Sequence, residues 1–348
     1  MIRLTLRQFR PQALVGVGVL LLAALVLLVT GPHLAHVYNT YVASCRATGS
    51  CSANPVSHTY QFLRTGLPLF VVAVPALIGV FWGAPLVAHE LETGTYRLAW
   101  TQSVSRGQWL AIKLAVVGLS SVAIGGVLAL MASWWADPVY KVNQDLFTPG
   151  TFSTRGLAPF GYAAFAFALG VAAGLIVRKT LPAMAITLVG FVGARLAVTE
   201  WLRPHFAAPA HLNLALGTTG RTVAFQQQSS GLTVVPPSVT LPNAWIYSTA
   251  LRDRSAHTPT LQYLKATCPK VVATLAPQPA NVSHPTSQPS PQAFQNCMAT
   301  ISARFHEVVT YQPASRYWRF QGYETAVFAI ASLVLIGVSF WWIHRRVS

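Results

Sequence analysis

Two carboxylates two residues apart stand at the centre of the chemistry this chain could do. They are Glu90 and Glu92, in the run His89-Glu90-Leu91-Glu92-Thr93-Gly94-Thr95, and the chain has only eight acidic residues among 348. So placed, they can serve as the acidic cap of a following helix. A second constellation is Arg195, Glu200 and Arg203, inside an otherwise apolar run. Arg195 and Glu200 are five apart, a poor offset for a helical pair, whereas Glu200 and Arg203 at offset three could pair. Arg195 has two readings, both open: it snorkels outward, or it lines an interior pathway with Glu200 and meets an anionic ligand. Four cysteines, Cys45, Cys51, Cys268 and Cys297, permit disulfides in an oxidising compartment. Three pairings exist, of which Cys45–Cys51 with Cys268–Cys297 is the simplest. The histidines show no ligand spacing, so no metal site is expected. No Gly-x-x-x-x-Gly-Lys-Ser/Thr, Gly-x-Ser-x-Gly or His-Glu-x-x-His occurs, and no catalytic residues are expected.

What must position these residues is set by composition. Charged residues are 9% and hydrophobic residues 53%, whereas a soluble domain carries about a quarter charged residues. So few charges cannot coat a soluble protein of this size, and the chain reads as a polytopic membrane protein. Its net charge of +16 reflects Lys and Arg gathered at span ends. No basic stripe with interleaved aromatics points to nucleic acid.

Six runs are long and apolar enough to cross a bilayer: about 13–29, 67–87, 110–135, 157–177, 181–202 and, after residue 323, Thr325–Ile343. The first is long for a signal-peptide core and lacks a small-x-small cleavage site, so it reads as a retained span. The short basic segments fall before span one, between spans two and three, between four and five, and after six. That pattern predicts a multi-pass plasma-membrane protein with both termini cytoplasmic. Residues 1–12 read as a cytoplasmic amphipathic elbow helix, turned into the membrane at Pro11. Residues 88–109 form a cytoplasmic connection and 203–322 an extracytoplasmic region. Residues 323–348 hold span six and a cytoplasmic tail. The fold class is mostly α: a polytopic six-helix transmembrane domain with a large proline-rich extracytoplasmic insertion between spans five and six. Within that insertion Leu232–Tyr247 reads as short edge strands broken by prolines. Cys297–Tyr311 reads as a helix with Ile301, Phe305 and Val308 on one face. Pro68, Pro75 and Pro85 permit kinks in span two, and Gly170-x-x-x-Gly174 permits close helix approach in span four.

The 88–109 connection carries a resemblance. Its acidic-x-acidic-x-Gly-Thr run, Glu90, Glu92, Gly94 and Thr95, is followed by a compact helix candidate over Tyr96–Gln102. Ser105-Arg106 then leads into span three. This resembles ATP-binding-cassette (ABC) export permeases of the second type, especially actinobacterial members. Val104 replaces the family's more common proline before Ser-Arg, and the segment between spans five and six is longer than in many members.

The resemblance implies a permease subunit with no catalytic site and no cofactor of its own. ATP and Mg would be bound by a partner, a cytoplasmic ABC ATPase dimer. A second permease, identical or similar, would complete the complex among membrane lipids. The ATPase-coupling positions it implies are Glu90, Glu92, Gly94, Thr95, Arg97, Trp100, Ser105 and Arg106. The cargo implied is unidentified and amphipathic. The alternative is an envelope scaffold or sensor whose 203–322 region binds a ligand or protein.

Overall fold

A computed structural model describes residues 2–48, 58–95, 105–216, 223–228, 231–275 and 290–346. The chain divides into two compact units, 1–207 with 315–348, and 208–314. The first holds six helical stretches long and apolar enough to span a bilayer, making this a multi-pass membrane protein.

Span one is α1, Ile2–Thr48, a single helix of 47 residues. It does not turn at Pro11, so residues 1–12 form no separate elbow: both Pro11 and Pro32 lie inside α1. A proline removes one backbone bond; an apolar medium penalises a broken helix more, because nothing outside the helix satisfies the freed groups. At 1.5 Å per residue α1 is about 70 Å long, more than twice the ~30 Å hydrocarbon core. Phe9 near its start packs edge-on against Trp82 of span two, ring centroids 5.1 Å apart.

Span two joins α2, His58–Ile78, to α3, Ala84–Thr93, through a π-helical turn at Gly79–Gly83. Span three is α4, Arg106–Asn143. A short helix α5, Pro149–Thr154, leads to span four, α6, Ala158–Val177. Span five is α7, Thr180–Ala197, extended by a second π turn, Val198–Leu202, and a 3-10 turn, Arg203–His205. Span six lies in Ala314–Arg346, mostly in a helix that runs Tyr317–Arg346.

The two π turns share one construction. Ala84 N–H donates to Gly79 O, and Arg203 N–H donates to Val198 O. In each case the next residue is a proline, Pro85 or Pro204. A proline ring clashes with the carbonyl four residues back, and widening the turn just ahead of it moves that carbonyl aside.

Span four is the hub. It contacts spans two, three, five and six and is the most buried of the six. Its run of alanines and glycines allows backbones to approach closely. A Cβ at Gly170 would lie 2.3 Å from Gly79 O, and one at Gly174 would lie 2.6 Å from Ala84 O. Gly170 and Gly174 therefore face span two within this chain, at its π turn. Span one instead presents Leu14, Leu21, Leu25 and Leu28 outward.

The second unit has a three-stranded antiparallel sheet, β1–β5–β4, and a hairpin, β2–β3. The strands are β1, Ala210–Ala215; β2, Ala224–Gln228; β3, Gly231–Val235; β4, Trp245–Arg252; and β5, His306–Gln312. Helices α8, Leu261–Thr267, α9, Pro269–Leu275, and α10, Pro291–Arg304, pack around a core that includes Leu264, Val271 and Ile301. Cys268 and Cys297 are disulfide-bonded. Cys45 ends α1; Cys51 and the proline-rich stretch Pro277–Pro289 lie outside the described residues.

One expectation is corrected here. The helix expected over Cys297–Tyr311 stops at Arg304, and His306–Gln312 is the central strand of the sheet. Val308, Val309 and Thr310 are β-branched and favour the extended backbone. Prolines 236, 237 and 242 fall between β3 and β4, where no ladder needs their missing N–H groups.

Candidate functional site

Glu90 and Glu92 occupy the last turn of α3, about 200° apart at 100° per residue, so they reach different neighbours. Glu90 Oε1 lies 2.5 Å from Lys113 Nζ in span three. Lys113 is only 3% exposed. It also donates to Leu86 O at 3.2 Å and sits 4.5 Å from the Trp109 ring centroid. A buried ammonium needs such partners, because a charge taken out of water is costly unless paired and hydrogen-bonded.

Glu92 Oε2 accepts from the Thr180 backbone N–H at 3.0 Å and from its hydroxyl at 2.7 Å. Thr180 begins span five, and the preceding residue, Lys179, provides no side-chain cap. Helix starts leave orphan N–H groups; Glu92 satisfies one from another span and puts negative charge at the positive end of the helix dipole. The acidic pair therefore ties span two to span three through one carboxylate and to span five through the other.

Gly94 ends α3 with φ of 75°, a left-handed conformation that glycine adopts without a Cβ penalty. Thr95 Oγ1 lies 3.1 Å from Thr93 Oγ1, which in turn bonds His89 O. Ser105 caps span three: its hydroxyl accepts from Gln108 N–H at 3.2 Å. Arg106 is the first residue of α4. Arg97 and Trp100 lie outside the described residues. A cavity of about 410 Å³ opens beside the pair, lined among others by Phe9, His89, Glu90 and Lys113.

The charges expected to line a pathway are arranged otherwise at the opposite end of the bundle. Arg203 is buried and grips Glu324 of span six, Nε–Oε2 2.8 Å and Nη2–Oε1 2.9 Å. The expected Glu200–Arg203 pair does not form. The π turn at Val198–Leu202 adds a residue to the helical turn and shifts the facing of the residues beyond it. Arg203 turns inward, and Glu200 is left exposed.

Arg195 also turns inward. Its Nη1 lies 3.3 Å from Glu324 Oε1, and its guanidinium lies 3.9 Å from the Tyr162 ring centroid. Tyr162 donates its hydroxyl to the same carboxylate. One carboxylate thus gathers spans four, five and six. Beside it Gln321 mirrors Glu92: its Oε1 accepts from the Leu157 and Ala158 N–H groups at the start of span four.

Lys113, Gln321 and Glu324 were not singled out from sequence. The available signal was polarity inside or at the edge of an apolar span, where a charged group demands a partner.

A family model described as ABC-2 membrane transporter related matches residues 17–203. The match takes in most of span one and all of spans two to four, and runs into the turn that closes span five. No curated protein matches, and no solved structure matches.

Proposed function

This chain belongs to the ABC-2 membrane transporter related family, and from that premise we propose that it is the permease subunit of an ATP-driven exporter. A separate cytoplasmic ATPase dimer binds ATP and Mg and engages the 88–109 segment. The end of the bundle carrying Glu90 faces the cytoplasm, and both termini lie on that side. A second copy or a similar chain completes the pathway. The cargo is amphipathic.

The observation that carries this reading is the double tie of the acidic pair. A push on the short connection after Thr95 reaches span three through Glu90–Lys113 and span five through Glu92–Thr180. Force applied at one point is thereby shared by three spans, which rigid coupling of a nucleotide-driven movement requires. A solvated turn needs neither tie.

The test is purification of the tagged full-length chain from its host in mild detergent, with identification of bound proteins by mass spectrometry. A P-loop ATPase in comparable amount is the expected result. Its loss from Glu90→Gln or Arg97→Ala chains that still insert normally would locate the contact. No ATPase under conditions that preserve known ABC complexes would favour an envelope sensor instead.

A further inference from the structure

The end of the bundle opposite the acidic pair carries a second cavity, of about 240 Å³, roughly eight water volumes at ~30 Å³ each. Its inner wall is apolar, with Leu67 from span two and Ala132 and Val139 from span three. Its rim carries Trp135, Tyr140 and Asp145. An apolar slot with an aromatic and ionic rim suits a molecule with a polar head and a hydrocarbon tail.

The charge of that head is set by Asp145. Among the described residues no basic side chain pairs with it. Its neighbour Asp137 takes both nearby cations, Lys141 at 2.7 Å and Arg155 at 3.1 Å. Asp145 Oδ1 is shielded from solvent and accepts no hydrogen bond. Oδ2 has only the Thr148 hydroxyl, at 3.4 Å. A carboxylate in this state is uncompensated, and a cation brought beside it would relieve the cost. The rim rings add attraction for a cation. Arg155 already lies 5.0 Å from the Tyr140 ring centroid. Trp135 is held in place by its indole N–H, which donates to Thr30 Oγ1 at 2.8 Å.

We propose that this cavity binds organic ammonium ions with an apolar tail. The ammonium sits beside Asp145, and the tail lies along Leu67, Ala132 and Val139. Alkyl carboxylates are repelled by Asp145, and alkyl alcohols lack the charge that it seeks. The same chemistry is offered by a free amphipathic amine and by the ethanolamine headgroup of a lipid. The claim concerns the chain alone and does not depend on any ATPase.

The experiment uses the full-length chain in phosphatidylcholine nanodiscs with radiolabelled n-octylammonium. Gly150→Leu discs serve as the blank for partition into lipid. Gly150 lines the cavity, and nothing lies within 4 Å of a Cβ placed there, so the added side chain can fill the space without a clash. The expected result is binding to the wild-type chain above the Gly150→Leu blank, displaced by unlabelled octylammonium and not by 1-octanol or octanoate. Asp145→Asn should weaken it about tenfold, equivalent to ~1.4 kcal/mol. Phosphatidylethanolamine in the disc lowers octylammonium binding if the lipid amine is the occupant, and leaves it unchanged if a free amine is. Wild-type binding no greater than the blank overturns the proposal. So does displacement by octanol equal to that by octylammonium, or full affinity in a folded Asp145→Asn chain.

Discussion

Glu92 caps a helix that starts 88 residues further along the chain: its carboxylate takes both the N–H and the hydroxyl of Thr180. Replacing Glu92 with Ala should leave the span-two helix intact and free the start of span five. Hydrogen exchange at the amides of 180–183 should then quicken, while those in the middle of span four stay protected. Unchanged exchange at 180–183 would mean that solvent supplies the cap equally well.

Glu90 and Lys113 are a paired test. Removing one partner strands a buried charge, so Glu90→Gln or Lys113→Met alone should lower stability by about 3 kcal/mol or more. The double variant should recover most of that loss, because an apolar replacement of a buried pair is close to neutral. Unfolding by sodium dodecyl sulfate in mixed micelles provides the cycle. Additive losses would show that the two residues do not interact.

Glu324 should be far more sensitive than Glu200. Its neutralisation leaves Arg203 and Arg195 facing an amide and takes the charged acceptor from Tyr162, a loss of about 3–5 kcal/mol. Glu200 is exposed and unpaired among the described residues, so Glu200→Gln should stay within about 0.5 kcal/mol. The same micelle titration separates them.

Gly170→Ala tests the seam between spans two and four. The added methyl would meet the Gly79 carbonyl at 2.3 Å, and backbone cannot step aside as a side chain can. A loss of about 1–3 kcal/mol is expected from overpacking. Gly193→Ala, where nothing lies within 4 Å, should change stability by no more than about 1 kcal/mol.

In the second unit the Cys268–Cys297 bond closes a separation of 29 residues. Chain-entropy arguments assign such a loop about 3.5 kcal/mol. The Cys268→Ala/Cys297→Ala chain should open to protease within 208–314 at a lower temperature, while the membrane spans keep their helix content. Equal protease resistance with and without the bond would assign that stability to the Leu264–Ile301 core.

The spans were legible because crossing a bilayer leaves about twenty consecutive apolar residues, a signal that survives any detail of packing. The acidic pair stood out because Glu90 and Glu92 are rare charges set two apart. Their partners did not: Lys113 and Thr180 come from other helices, and sequence spacing carries no information about which helices meet. Glu324 was missed for the same reason, with Arg203 and Arg195 121 and 129 residues away. The Glu200–Arg203 pairing assumed α-helical geometry that the π turn removes. Residues 305–311 misled because Ile301, Phe305 and Val308 fit a helical period, while the β-branched run at 308–310 favours the extended backbone actually found. Pro11 reads as a stop in water and is tolerated within the long apolar helix that contains it.

The two widened turns make chain length itself a constraint. Each holds one residue more than an α-helical path would use, placed just ahead of Pro85 and of Pro204. Deleting one residue from 79–83 would leave composition and hydropathy almost untouched. Yet it would swing everything beyond it by about 100°, carrying Glu90 off Lys113 and Glu92 off Thr180. Substitutions in this stretch can be graded by size, but a single-codon deletion acts like a slipped gear tooth. Members of this lineage should therefore vary in letters between 79 and 92 long before they vary in count.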